Sequence, residues 1–151
     1  MNTLPYQDPL DSEVLIRQQQ DPAHDQSPFV DEDPDFVPKI IFVDLDGTIS
    51  YNPQEPGFAD RHADYSKAKP IPDRIAHINK LYEQGHSITI WTARGCVSGT
   101  DYYRMTEQQL EDWGVKYTDL QVGNKPHFDM YICDKSYNSE TYFHKVVQGL
   151  P

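Results

Sequence analysis

Apolar residues fall in short blocks along this chain, and their spacing changes from block to block. Ile40-Ile41-Phe42-Val43 is an unbroken apolar run closed by a turn signal, which predicts a central strand of a parallel sheet with both faces covered. Ile71, Ile75, Ile78 and Leu81 then recur at helical spacing, with Pro72 at an allowed first-turn position and Gly85 as a stop. His86 to Thr92 reads as a second strand, and strand, helix, strand in that order implies a right-handed crossover and parallel pairing. Thr106-x-x-Gln109 has the form of a capping box opening a helix that carries Leu110 and Trp113 and ends at Gly114. Val115 to Val122 is a third strand-like segment and Met130 to Cys133 a further short strand ending at Asp134. Ser139 through Val147 adds a helix or an edge element. Between the first strand and the first helix, Tyr51 to Pro70 is polar and broken by Asn52-Pro53 and Pro56-Gly57. It is too short for an independent cap domain, so it predicts a loop or small hairpin over the strand ends.

The segment from Met1 to Pro38 does not follow these patterns. It is rich in Asp, Gln and Pro and too poor in large apolar residues to offset the entropy of ordering. It predicts a disordered acidic tail over 1–38 and a folded domain over 39–151, with Val14-Leu15-Ile16 the one patch able to dock. A length of 151 residues, 37% of them hydrophobic, suits one domain with a real core. The formal charge of −11 disfavours extended nucleic acid as a partner, since phosphate contacts need clustered Lys and Arg. Two cysteines, Cys96 and Cys133, make neither a disulfide scaffold nor a four-thiolate zinc site. Met1 to Leu10 has no basic segment followed by an apolar run, and no stretch approaches membrane-spanning length. The expectation is a soluble, cytoplasmic protein without a membrane partner.

The candidate chemistry starts where the first apolar run stops. Asp44 and Asp46 follow it at a spacing that lets both side chains face one small volume, and Gly47-Thr48 come next. Ligands of open α/β sheets bind outside such strand ends. Two like charges that close need a cation or a shared proton, and a hard divalent metal is the natural third party.

The string Asp44-x-Asp46-Gly47-Thr48 after an apolar strand resembles the first motif of the haloacid dehalogenase superfamily, most of whose members are magnesium-dependent phosphohydrolases. Three further motifs follow in order. Thr92, at the end of Trp91-Thr92-Ala93-Arg94-Gly95, matches the hydroxyl that donates to the transferred phosphoryl group. Lys125, in Gly123-Asn124-Lys125-Pro126, matches the basic residue, and Met130-Tyr131-Ile132-Cys133-Asp134 matches the last strand and its acidic pair. Here the chain departs from the pattern: Cys133 stands at the first acid, so the metal-ligand role passes to Asp134, with Asp129 as a substitute.

The resemblance implies an α/β, Rossmann-like three-layer sandwich with a mainly parallel central sheet and no large cap domain. It also implies a Mg2+ cofactor held by Asp44, the Asp46 backbone carbonyl and Asp134. Asp44 would be the nucleophile, Asp46 the acid and base, and Thr92 and Lys125 the groups that stabilise charge in the transition state. Gly47, Thr48, Ala93, Arg94 and Gly95 would line the substrate. In the sheet so implied, the strand that precedes Cys96 and the strand that carries Cys133 flank the first strand and lie about 10 Å apart, beyond the roughly 7 Å a disulfide spans.

The whole arrangement looks like small capless phosphatases, which points to a small phosphorylated metabolite such as a sugar phosphate as partner. A capless site also leaves room for a homo-oligomer in which a neighbouring subunit covers it. Two alternatives stand beside this reading: a nucleotide or polynucleotide-end phosphatase, and a noncatalytic phosphate-binding or scaffold protein. Tyr51, Arg61, His62, Tyr65, Tyr103, Arg104 and His127 are further candidate substrate contacts.

Overall fold

The structure, a computed structural model, describes residues 33–53 and 64–147. The chain divides into two units, Met1–Val37 and Pro38–Pro151, and the fold below is that of the second. The expectations for Val14-Leu15-Ile16, for most of the 1–38 tail, and for Pro56, Gly57, Arg61 and His62 lie outside the described residues.

Strand β1 (Ile40–Val43) runs into the Asp44–Thr48 turn, and a small antiparallel pair follows, β2 (Ser50–Tyr51) with β3 (Lys69–Pro70). Helix α1 (Pro72–Glu83) leads to β4 (Ser87–Thr92), α2 (Tyr103–Asp112) to β5 (Asp119–Val122), and α3 (Ser139–Val147) comes last. The main sheet is parallel throughout, in the order β1-β4-β5, with Val43 opposite Ile90 and Thr92 opposite Val122. This is the α/β architecture of a Rossmann-like sandwich, with each parallel connection made by a helix.

The pleat decides where the core lies. Val43, Ile88, Ile90 and Leu120 share one face of the sheet by register, and all are buried. Ile75 and Ile78 of α1, Leu110 of α2 and Phe143 of α3 join them in a single cluster. Helices α1 and α2 close alike. The Gly85 and His86 N–H groups donate to Tyr82 and Leu81 carbonyls (3.0 and 3.2 Å), and the Gly114 and Val115 N–H groups donate to Glu111 and Leu110 carbonyls (3.0 and 2.9 Å). These are Schellman closures, and each turns its chain straight into the approach to a strand.

Three expectations need correcting. Among the described residues β1 is an edge strand rather than a central one, and its outer-face residues Ile40 and Phe42 are 77% and 54% exposed. Met130 to Cys133 forms no strand. Met130, Tyr131 and Ile132 are 78%, 61% and 89% exposed, and among the described residues the segment pairs with no strand. Four apolar residues meet the strand pattern, but that pattern becomes a strand only where a neighbour takes its backbone N–H and C=O groups. The two corrections are linked, since the resemblance placed this segment beside β1. Thr106 is not a cap either: α2 begins at Tyr103 with Tyr102 at the N-cap, which puts Thr106 inside the helix and fully buried. Its hydroxyl serves another partner.

Candidate active site

The turn after β1 is built by one carbonyl. Thr48, Ile49 and Ser50 all donate their N–H groups to the Leu45 oxygen at 3.0–3.1 Å, while Gly47 donates to the Ser50 oxygen at 2.8 Å. Gly47 takes φ +81°, a conformation that side-chain-bearing residues rarely adopt, so the turn depends on glycine there. The turn carries Asp44 and Asp46 at the carboxyl end of the strand.

Each carboxylate has its own cation. Lys125 Nζ donates to Asp44 Oδ1 at 2.8 Å, and Thr48 Oγ1 donates to Asp44 Oδ2 at 3.1 Å. The ammonium also sits 5.4 Å from the centre of the Trp91 ring and 3.5 Å from the Trp91 carbonyl oxygen, and the Trp91 indole N–H donates to Asn124 Oδ1 at 3.1 Å. The loop after β5 is thereby pinned to the end of β4, and Lys125 is held beside the Asp44 carboxylate. The Asp44 side chain remains 39% exposed, open to a ligand from the strand end.

Asp46 faces Arg94. Arg94 Nε donates to Oδ2 at 2.8 Å and Nη2 donates to Oδ1 at 2.7 Å, a two-point fork of the kind guanidinium and carboxylate planes favour. Ser50 Oγ adds a donor to Oδ1 at 3.3 Å. Arg94 itself is 1% exposed, and its Nη1 donates to Thr106 Oγ1 (3.2 Å) and Gln109 Oε1 (2.6 Å). The Tyr65 ring lies 4.8 Å from the guanidinium carbon. Burial, followed by the nearby Asp46 charge, pushes the Tyr65 phenol above its ordinary pKa, with Arg94 opposing.

The guanidinium is turned onto buried partners, an arrangement that the expected substrate contact at that position did not anticipate. Thr92 is 1% exposed, and its Oγ1 accepts the Arg94 backbone N–H at 3.3 Å, which leaves the hydroxyl hydrogen for another acceptor. Ala93 is exposed beside it. At Gly95 (φ +79°) any Cβ would run into the Thr100 carbonyl oxygen, so glycine there is a packing requirement of this loop.

Asp134 is exposed and joins neither cluster. The neighbouring Cys133 thiol donates to Asp134 Oδ1 at 3.8 Å. The Tyr131 hydroxyl, then the Lys135 and Ser136 N–H groups, draw the Cys133 thiol below its ordinary pKa, with the Asp134 charge opposing. Cys96 and Cys133 are both free thiols. Tyr51, Tyr103 and His127 are exposed, and Arg104 pairs with Glu107 on the surface of α2 at 2.7 Å. Ser50, Thr106 and Gln109 were not legible as site residues, and Tyr65, expected as a substrate contact, lies instead against the Arg94 guanidinium. For Thr106 and Gln109 a signal existed, since an i, i+3 pair of polar residues on one helix face also fits a buried ionic partner.

The donor set fits a hard divalent cation in kind but not in number. Asp44 offers carboxylate oxygen, but the Asp46 carboxylate is turned to Arg94, which leaves that residue's backbone carbonyl. Among the described residues no three His, Cys, Asp or Glu side chains cluster to hold a metal. The physical reason is the unpaired segment ahead of Asp134, which does not fasten that carboxylate to the end of β1.

No protein-family model matches the chain, and no curated protein does. Among solved structures it is similar to a Vibrio cholerae protein of known crystal structure, with 24% identity, coverage of 70% of this chain and 87% of that one, and a TM-score of 0.56. Likeness at that identity speaks for the fold alone.

Proposed function

We propose that this protein hydrolyses phosphomonoesters through an aspartyl-phosphate on Asp44, with a small phosphorylated metabolite such as a sugar phosphate as substrate and magnesium as cofactor. The observation that carries the reading is the Asp44–Lys125 ion pair at a parallel-sheet strand end. An ionised carboxylate needs no base to attack phosphorus, and a lysine ammonium beside it offsets both its charge and that of the incoming phosphoryl oxygens.

In this reading an Asp44 oxygen attacks phosphorus in line, the bond from phosphorus to the leaving oxygen breaks, and Asp46 supplies the proton to the departing alcohol. Asp46 then accepts a proton from the water that attacks the aspartyl phosphate, and the bond to Asp44 breaks with its electrons returning to the carboxylate. Lys125 and the free hydroxyl hydrogen of Thr92 stabilise the equatorial oxygens. Magnesium, when bound, would neutralise phosphoryl charge; Asp44 and the Asp46 carbonyl would hold it, and Asp134 is the further ligand that the resemblance implies.

The test is release of phosphate from an aryl phosphate in magnesium buffer, with acid quenching to trap a phosphoenzyme. Turnover that depends on magnesium and a label on Asp44 are expected. Phosphate binding without turnover would leave the noncatalytic alternative in its place.

A further inference from the structure

We propose that Arg94 is a positioning residue that holds Asp46 as the base for the hydrolytic half of the reaction, an assignment that rests on the phosphomonoesterase reading above. Arg94 is the largest fully buried side chain among the described residues, and it touches no open surface through which a substrate could reach it. Its Nε and Nη2 take one Asp46 oxygen each (2.8 and 2.7 Å), which fixes the plane of the carboxylate as well as its distance. A carboxylate gripped at both oxygens is fixed in orientation, and Asp46 Oδ2 keeps a second lone pair with which to take a proton. It is not sealed off, since the Asp46 side chain keeps 22% of its surface exposed.

The clamp is itself clamped. Gln109 Nε2 donates to the Tyr65 carbonyl at 2.8 Å, so its Oε1 must face Arg94, which it meets at 2.6 Å. Thr106 accepts from the same Nη1, one turn earlier on α2, and the Tyr65 ring covers the guanidinium face. Three separate parts of the chain, the end of β4, helix α2 and the turn at Tyr65–Lys67, thus converge on one side chain whose outward end is Asp46. A lysine cannot reproduce this, because a point charge on a flexible stem makes no planar fork.

The hydrolytic step needs that fork. Water oxygen forms a bond to phosphorus, its proton passes to Asp46, and the bond between phosphorus and the Asp44 oxygen breaks. With an aryl leaving group the first half needs little protonation, so a loosened Asp46 should hold the enzyme back after phosphorylation. The full-length protein is therefore compared with Arg94→Lys by rapid mixing with an aryl phosphate in magnesium buffer. For Arg94→Lys we expect a burst of aryl alcohol approaching one per enzyme, trapped phosphoenzyme, and steady turnover slowed about 100-fold. Gln109→Leu, which touches Asp46 only through Arg94, should show the same burst with a loss of roughly tenfold, and Gln109→Glu, which keeps the acceptor for Nη1 but not the donor to the Tyr65 carbonyl, should lose less.

Equal slowing of burst and steady phases, with no phosphoenzyme, would overturn the assignment and leave Arg94 a purely structural residue. Should Arg94→Lys fail to fold, Gln109→Leu decides between the same two results. A parent protein that releases no phosphate overturns the phosphatase reading first and this assignment with it, a result distinct from an active parent whose variants slow uniformly.

Discussion

Lys125 reaches back across 81 positions of sequence to place its ammonium 2.8 Å from Asp44 Oδ1. The pair closes the gap between the first strand of the sheet and the loop after the last. Asp44→Asn should abolish phosphate release while the thermal midpoint stays near that of the parent, because the volume is preserved and Lys125 retains the Trp91 carbonyl and ring. Near-parental turnover in the purified variant would refute the covalent route.

Asp46 should behave differently, because its partner is buried. Asp46→Ala strands the Arg94 guanidinium without a counter-charge, which costs about 3–5 kcal/mol in pairs of this kind. A marked fall in melting temperature is expected for Asp46→Ala and a smaller one for Asp46→Asn, which keeps one acceptor oxygen. Turnover of an alkyl phosphate by Asp46→Asn should drop about 100-fold to 10,000-fold. Single-turnover phosphorylation by an aryl phosphate should fall far less, and matching losses for the two substrates would contradict the acid role.

Magnesium dependence tests the segment ahead of Asp134. Chelation should stop the proposed phosphate release and added magnesium restore it. Asp134→Asn should raise the magnesium needed for half-maximal rate, whereas Cys133→Asp should lower it by adding negative charge. An Asp134→Asn titration that superimposes on the parent would transfer the ligand role to Asp129.

His77 offers a pH signature in stability. Burial, helped by the nearby Lys80 charge, holds its imidazole below the ordinary 6.5, and its Nε2 meets the Tyr142 hydroxyl at 2.9 Å. The unfolded chain takes up this proton at higher pH than the folded one does. Stability attributable to the neutral ring is thus complete above about 6.5 and declines as pH falls from there toward the folded value. The melting temperature should drop between pH 7 and pH 5, and His77→Gln should flatten that part of the profile. An unchanged slope in the variant would remove His77 as its source.

The sequence made the helical blocks and the strand ends legible because each carried its own punctuation. Pro72 and Gly85 bracket α1 to within a residue, and Gly114 ends α2 as expected. Asp44 and Lys125 could be paired on motif order alone. What escaped was long-range polar pairing. Thr106 and Gln109 carry the letters of a cap, and only the buried guanidinium, coming from another strand, reveals their use. Met130–Cys133 failed for the complementary reason, since a run that short specifies apolarity but not a partner.

The position of β1 at the end of the sheet reaches beyond catalysis. Among the described residues β1 has one unpaired edge, which is a template for another backbone, and beside that edge Ile40 and Phe42 expose apolar side chains on one face of the sheet. Against this stands a formal charge of −11, which makes two copies of the chain repel. Salt shortens the reach of that repulsion to about 10 Å at 0.1 M, and leaves contact between apolar strips intact. Colloidal behaviour should accordingly run opposite to that of a protein joined by ion pairs: dispersed in dilute buffer, and increasingly self-associating as ionic strength rises.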